Sequence, residues 1–134
     1  MCKKIVCMKE IIKDWIIQTV NSNSIPDEII AFNFGMYETE DGYCIYLIGS
    51  KHYDKDDDDW ACDEDFVPTN NFLNIPFNDK KDDWDVFLNK IVDIISSLIT
   101  TCPELSPLSS RYVTVGFDDG NLIRIKGSRC DIEF

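Results

Sequence analysis

Asp54, Asp56, Asp57, Asp58, Asp59, Asp63, Glu64 and Asp65 place eight carboxylates and one lysine, Lys55, within twelve positions, a local charge of −7. Carboxylates at that density suit three chemistries: a hard-cation site, an acid–base pair, or an anionic docking surface. A calcium loop of the EF-hand kind is tested first, because Asp54, Asp56, Asp58, Trp60, Cys62 and Asp65 fall on positions 1, 3, 5, 7, 9 and 12 of its count. The match then fails. Asp59 stands where the sharp turn needs glycine, Asp65 stands where a bidentate glutamate closes the site, and no helix is predicted ahead of the loop. A glycosidase-type pair needs one carboxyl of raised pKa in a pocket, an asymmetry that a run of adjacent exposed aspartates lacks.

Other catalytic chemistry is sparse. His52 is the one histidine, placed between Lys51 and Tyr53 at the end of a strand-like run, and acid–base work normally needs a partner that orients the imidazole. The chain has no Gly-x-Gly-x-x-Gly, Gly-x-x-x-x-Gly-Lys-Ser/Thr, Gly-x-Ser-x-Gly or His-Glu-x-x-His, so nucleotide binding, serine hydrolysis and zinc proteolysis lose their usual signatures. The expectation is a protein that is not an enzyme, with no catalytic, cofactor-binding or metal-ligating residues and no cofactor. The alternative is a small enzyme or metal-binding protein built on His52 and nearby carboxylates, or a general adaptor domain.

Six cysteines, Cys2, Cys7, Cys44, Cys62, Cys102 and Cys130, have no Cys-x-x-Cys spacing, and most lie among apolar neighbours. No apolar stretch of signal-peptide type follows Met1-Cys2-Lys3-Lys4, so a cytoplasmic location and reduced core thiols are expected. The formal net charge of −12 and a pI near 4.3 argue against nucleic acid and anionic membrane surfaces, both of which are gripped by Lys and Arg. A basic protein as partner, or no partner at all with the acidity serving only solubility, is what remains. For a basic partner, Asp54, Asp56, Asp57, Asp58, Asp59, Asp63, Glu64 and Asp65 would steer association, and Trp60 or Tyr53 would be an aromatic anchor. Burial of Trp60 in the core is the competing reading.

These residues need a scaffold. Apolar positions Ile5, Met8, Ile12, Trp15, Ile16 and Val20 recur every three or four residues, which predicts an amphipathic helix from about Lys4 to Val20, ended by Asn21-Ser22-Asn23-Ser24 and Pro26. Strand-like runs from Glu28 to Tyr37 and from Tyr43 to Ile48 flank Glu40-Asp41-Gly42, a hairpin signal, and neither face of the second run is polar, which predicts a central place in a sheet. After the short run Phe72–Pro76, a second amphipathic helix is predicted from Asp82 or Asp83 to Thr101. Its buried stripe is Trp84, Phe87, Leu88, Ile91, Ile95, Leu98 and Cys102, with Asp79, Asp82 and Asp83 at its start. Tyr112–Val115 and Leu122–Ile125 around Asp118-Asp119-Gly120-Asn121 read as a second hairpin. The order predicts an α+β fold: one domain over residues 1–134, with two amphipathic helices on a mainly antiparallel sheet of four to five strands.

Three stretches carry a resemblance across most of the chain. The run Ala31-Phe32-Asn33-Phe34-Gly35-Met36-Tyr37-Glu38 with Asp41-Gly42-Tyr43-Cys44-Ile45-Tyr46-Leu47-Ile48-Gly49-Ser50, then Asp57-Asp58-Asp59-Trp60-Ala61-Cys62, then Gly116-Phe117-Asp118-Asp119-Gly120, resembles the small immunity proteins of bacterial polymorphic toxin and contact-dependent inhibition systems. That resemblance implies a cytosolic inhibitor that neutralises a cognate toxin by tight binding. It carries over no contact residues, because such families diverge at the toxin-facing surface.

Overall fold

The three-and-four spacing of Met8, Ile12, Trp15 and Ile16 closes into helix α1, Met8–Ser22, in the computed structural model, which describes residues 8–76 and 83–131. Ile12, Trp15 and Ile16 are buried, and the Asn23 side-chain amide donates to the Thr19 carbonyl at 2.8 Å, satisfying one of the last acceptors of the helix. Lys4 and Ile5 of the expected helix, together with Cys2 and Cys7, lie outside the described residues. Helix α2, Trp84–Thr101, buries Phe87, Ile91, Ile95, Leu98 and Ile99 along one stripe. Trp84, expected in that stripe, is instead 59% exposed, because it stands in the first turn of the helix at the end of the strands that hold Met36 and Phe117, with Phe117 as its one edge-on ring neighbour among the described residues. Asp83 sits at the cap position without a side-chain cap bond, and its carbonyl accepts from the Phe87 amide at 3.0 Å. Asp79 and Asp82 lie outside the described residues.

Strands β1 (Ala31–Glu38), β2 (Gly42–Ser50), β3 (Phe72–Pro76), β4 (Tyr112–Phe117) and β5 (Ile123–Arg124) form one sheet in the order β3-β2-β1-β4-β5. β1 is central and β2 lies beside it, as their two-sided apolar runs require. The fold is α+β with a mostly antiparallel sheet. The β1–β4 pair is parallel, because α2 and the short helix α3 (Ser106–Ser109) carry the chain past β1 before β4 begins.

Side chains alternate between two layers. Phe32, Phe34 and Met36 of β1, Tyr43, Ile45 and Leu47 of β2, and Val113 and Val115 of β4 meet α1 and α2 in the main core. Each large apolar side chain buried there contributes ~1.5–3 kcal/mol. Tyr43 and Phe87 stack at 4.1 Å within it. On the outer face Asn33 and Thr114 are buried in register, and the threonine hydroxyl donates to the Asn33 side-chain oxygen at 2.8 Å. That bond removes most of the cost of burying two polar side chains.

The first hairpin closes around Glu40-Asp41, where the Thr39 amide donates to the Gly42 carbonyl at 2.8 Å. The Asp-Gly signal found the right turn for a different reason from the left-handed backbone it usually marks. Among described glycines only Gly127 has a positive φ, whereas a Cβ at Gly42 would stand 2.0 Å from the Ile75 carbonyl oxygen, so glycine is needed for the close approach of β3.

Candidate functional site

Between β2 and β3 the acidic run crosses the outer face of the sheet and is fastened by its aromatics. Tyr53 stacks on Tyr112 with ring centres 3.9 Å apart and planes within 4°. Trp60, 5.3 Å from Tyr53, packs with Ala31 and Tyr112 and is only 5% exposed. This corrects the expectation of Trp60 as a partner-binding anchor: the small side chain of Ala31 leaves room for the indole, and burying it there outweighs exposing it to solvent. Cys62, expected in the core, is exposed, two positions beyond Trp60 on the short 3-10 turn Asp58–Cys62.

All eight carboxylate residues of the run are exposed, yet they do two different jobs. Asp54 accepts from the Asp56 amide at 2.9 Å, and Asp57 caps the 3-10 turn by accepting from the Asp59 amide at 3.0 Å. Asp58 reaches the Leu122 amide at 3.0 Å, and Asp65 accepts from the Lys51 amide at 2.8 Å. Arg124 donates to the Lys55 carbonyl at 3.2 Å, a further tie to β5. Asp54, Asp57, Asp58 and Asp65 therefore hold the run in shape. The side-chain carboxylates of Asp56, Asp59, Asp63 and Glu64 accept no hydrogen bond from the described residues and present their charge outward. No group of three or more His, Cys, Asp or Glu side chains converges on a metal-sized position among the described residues. His52 is exposed, and its backbone amide donates to the Ser50 hydroxyl at 3.1 Å.

Beside this acidic cover lies an aromatic band that sequence reasoning missed. Tyr46 sits over Gly35, where a Cβ would fall 2.2 Å from its ring, and it is flanked by Tyr37 at 6.3 Å and Phe72 at 6.0 Å. Tyr37 is 38% and Phe72 57% exposed. The Tyr46 hydroxyl donates to Asp118. Burial, that hydrogen bond, and the negative charges of Asp118 and Glu64 hold its phenol well above the ordinary tyrosine range. Tyr46 thus ties the aromatic band to the turn after β4 through Asp118. The Tyr53 phenol is raised as well, first by burial and then by its hydrogen bond with the Cys130 thiol. A sequence signal for the band existed in Gly35, a glycine in the middle of a central strand, which marks a position where a neighbouring ring lies flat on the backbone.

No protein family, curated protein or solved structure matches the chain. Its surface chemistry is what bears on its role: fixed outward carboxylates joined to exposed aromatic rings suit contact with a cationic protein surface. No single helix among the described residues is long and apolar enough to cross a membrane.

Proposed function

We propose that the chain is a cytoplasmic immunity protein that neutralises a cognate bacterial toxin, of which a basic nuclease is the natural type, by direct binding through its acidic surface. The observation that carries this reading is the docking of the acidic run on the sheet by Trp60 and Tyr53, which presents Asp56, Asp59, Asp63 and Glu64 outward from a folded support. A disordered acidic tail would pay an ordering entropy on binding, whereas a preformed surface of this kind has already met that cost. A nuclease cleft is basic because it binds phosphate, so it is complementary to this charge. The resemblance of the Ala31–Glu38, Asp41–Ser50, Asp57–Cys62 and Gly116–Gly120 stretches to immunity proteins supports the same role.

The test is co-expression with the toxin domain encoded immediately upstream, followed by association kinetics over a range of salt concentrations. The chain is expected to restore growth. The combined variant Asp56→Asn, Asp59→Asn, Asp63→Asn, Glu64→Gln is expected to slow association by about 10-fold or more at low salt and to flatten its salt dependence, leaving dissociation nearly unchanged. Failure to protect, or an association rate and salt slope equal to those of the parent, would refute the proposal.

A further inference from the structure

We infer that a notch at the end of the sheet receives an arginine side chain of the partner protein. The inference rests on reading the chain as a binder of a cationic protein and deepens it by naming the group that enters. The notch, a cavity of about 550 Å³, opens where the parallel strands β1 and β4 end beside the first turn of α2. Its walls include Tyr37, Trp84 and Phe117, with Asp118 and Asp119 on the turn that follows β4. Trp84 stands edge-on to Phe117 at 6.1 Å and 89°, leaving most of the indole open.

The composition of the walls selects the ligand. Aromatic faces attract a cation through their quadrupole, most strongly when it is planar and weakly hydrated, which favours guanidinium over ammonium. Asp118 accepts from Tyr46 through one oxygen, Oδ1, and Asp119 is exposed and accepts no hydrogen bond from the described residues, so carboxylate oxygens face the opening. A purely apolar guest would strip water from these carboxylates without compensation, and an anion would be repelled. The positive end of the α2 dipole opposes a cation, and Asp83 at the cap with Asp85 in the first turn offsets it. Asp118 also joins the notch to the Tyr46 band, and the acidic run reaches the loop just after the same turn through Asp58, which accepts from the Leu122 amide at 3.0 Å, so one protein surface can cover notch and acidic run together. That continuity is why the arginine is assigned to a partner protein.

The experiment is an NMR titration of the full chain with N-acetyl-arginine-methylamide, its lysine analogue and its neutral citrulline analogue, alongside toxin affinity of the Trp84→Ala and Asp119→Asn variants. The arginine amide is expected to shift the Trp84 indole and Gly120 amide signals saturably, with citrulline at least ~10-fold weaker and lysine between them. Each variant is expected to weaken the toxin complex by about 10-fold or more while keeping the parent spectrum elsewhere. Equal binding of citrulline, or no saturable shift at these two positions, overturns the notch assignment even where the toxin complex forms normally. Arginine binding combined with unchanged toxin affinity in both variants means a site for a free cation and overturns the partner assignment. Loss of toxin protection by the parent chain, with arginine binding intact, refutes the immunity reading instead.

Discussion

Replacing Trp60 by alanine separates a structural wedge from a binding anchor. An aromatic side chain buries ~150–250 Å². At ~25 cal/mol per Å² its removal forfeits up to about 4–6 kcal/mol before alanine's own share is subtracted. The surrounding cluster is small, with Ala31 and Tyr112 as its other buried members, and it can partly settle into the space. The low end of the usual Trp→Ala range, about 3 kcal/mol, is therefore expected. For a domain of this size that corresponds to a fall in Tm of roughly 10–15 °C. Trp60→Phe keeps an aromatic filler and should cost about 1 kcal/mol. Urea unfolding followed by far-UV circular dichroism reads both variants, with toxin affinity measured where both remain folded. Stability of Trp60→Ala within ~1 kcal/mol of the parent, together with a large loss of affinity, would refute the inward placement of this residue.

Thiol accessibility gives a second check: native-state alkylation should reach exposed Cys62 first and buried Cys44 last, and unfolding without reductant should expose all six cysteines. Equal rates at Cys44 and Cys62, or a thiol that stays blocked, would contradict this. At high pH, Tyr46 and Tyr53 both have folded-state pKa values raised above the ordinary ~10, so their contribution to stability is full below that value and is lost as pH rises through the raised values. Stability should decline above about pH 10, with each tyrosine contributing less than the ~1.4 kcal/mol per pH unit that a fully shielded group would give. Tyr46→Phe should make the decline shallower, and an identical pH profile in that variant would count against the environment described for Tyr46.

The helices and the first hairpin were legible because their information is local. Ile12, Trp15 and Ile16, and likewise Phe87, Ile91 and Ile95, repeat at helical spacing, and the runs Phe32–Met36 and Tyr43–Leu47 are apolar on both faces. The parallel pairing of β1 with β4 was not legible, since nothing in either strand encodes which distant edge it meets. Nor could spacing reveal that four aspartates of the acidic run spend their oxygens on backbone amides, because Asp58 finds its donor at Leu122, far along the chain. Tyr37, Trp84 and Asp118 come from three separate elements, so no local pattern could bring them to one notch.

The parallel pair has a consequence for the order of events during synthesis. β1 is the middle strand, but until β4 emerges about 70 residues later one of its edges has no partner. At ~5–20 residues per second the ribosome leaves that edge open for roughly 4–15 s. Throughout that interval Phe32, Phe34 and Met36 lie on a strand with a free row of backbone donors and acceptors, the geometry from which edge-to-edge aggregation starts. The edge of β1 therefore stays open to a second nascent chain until Tyr112–Phe117 arrives, so crowded overexpression would tax this chain most before β4 has been made.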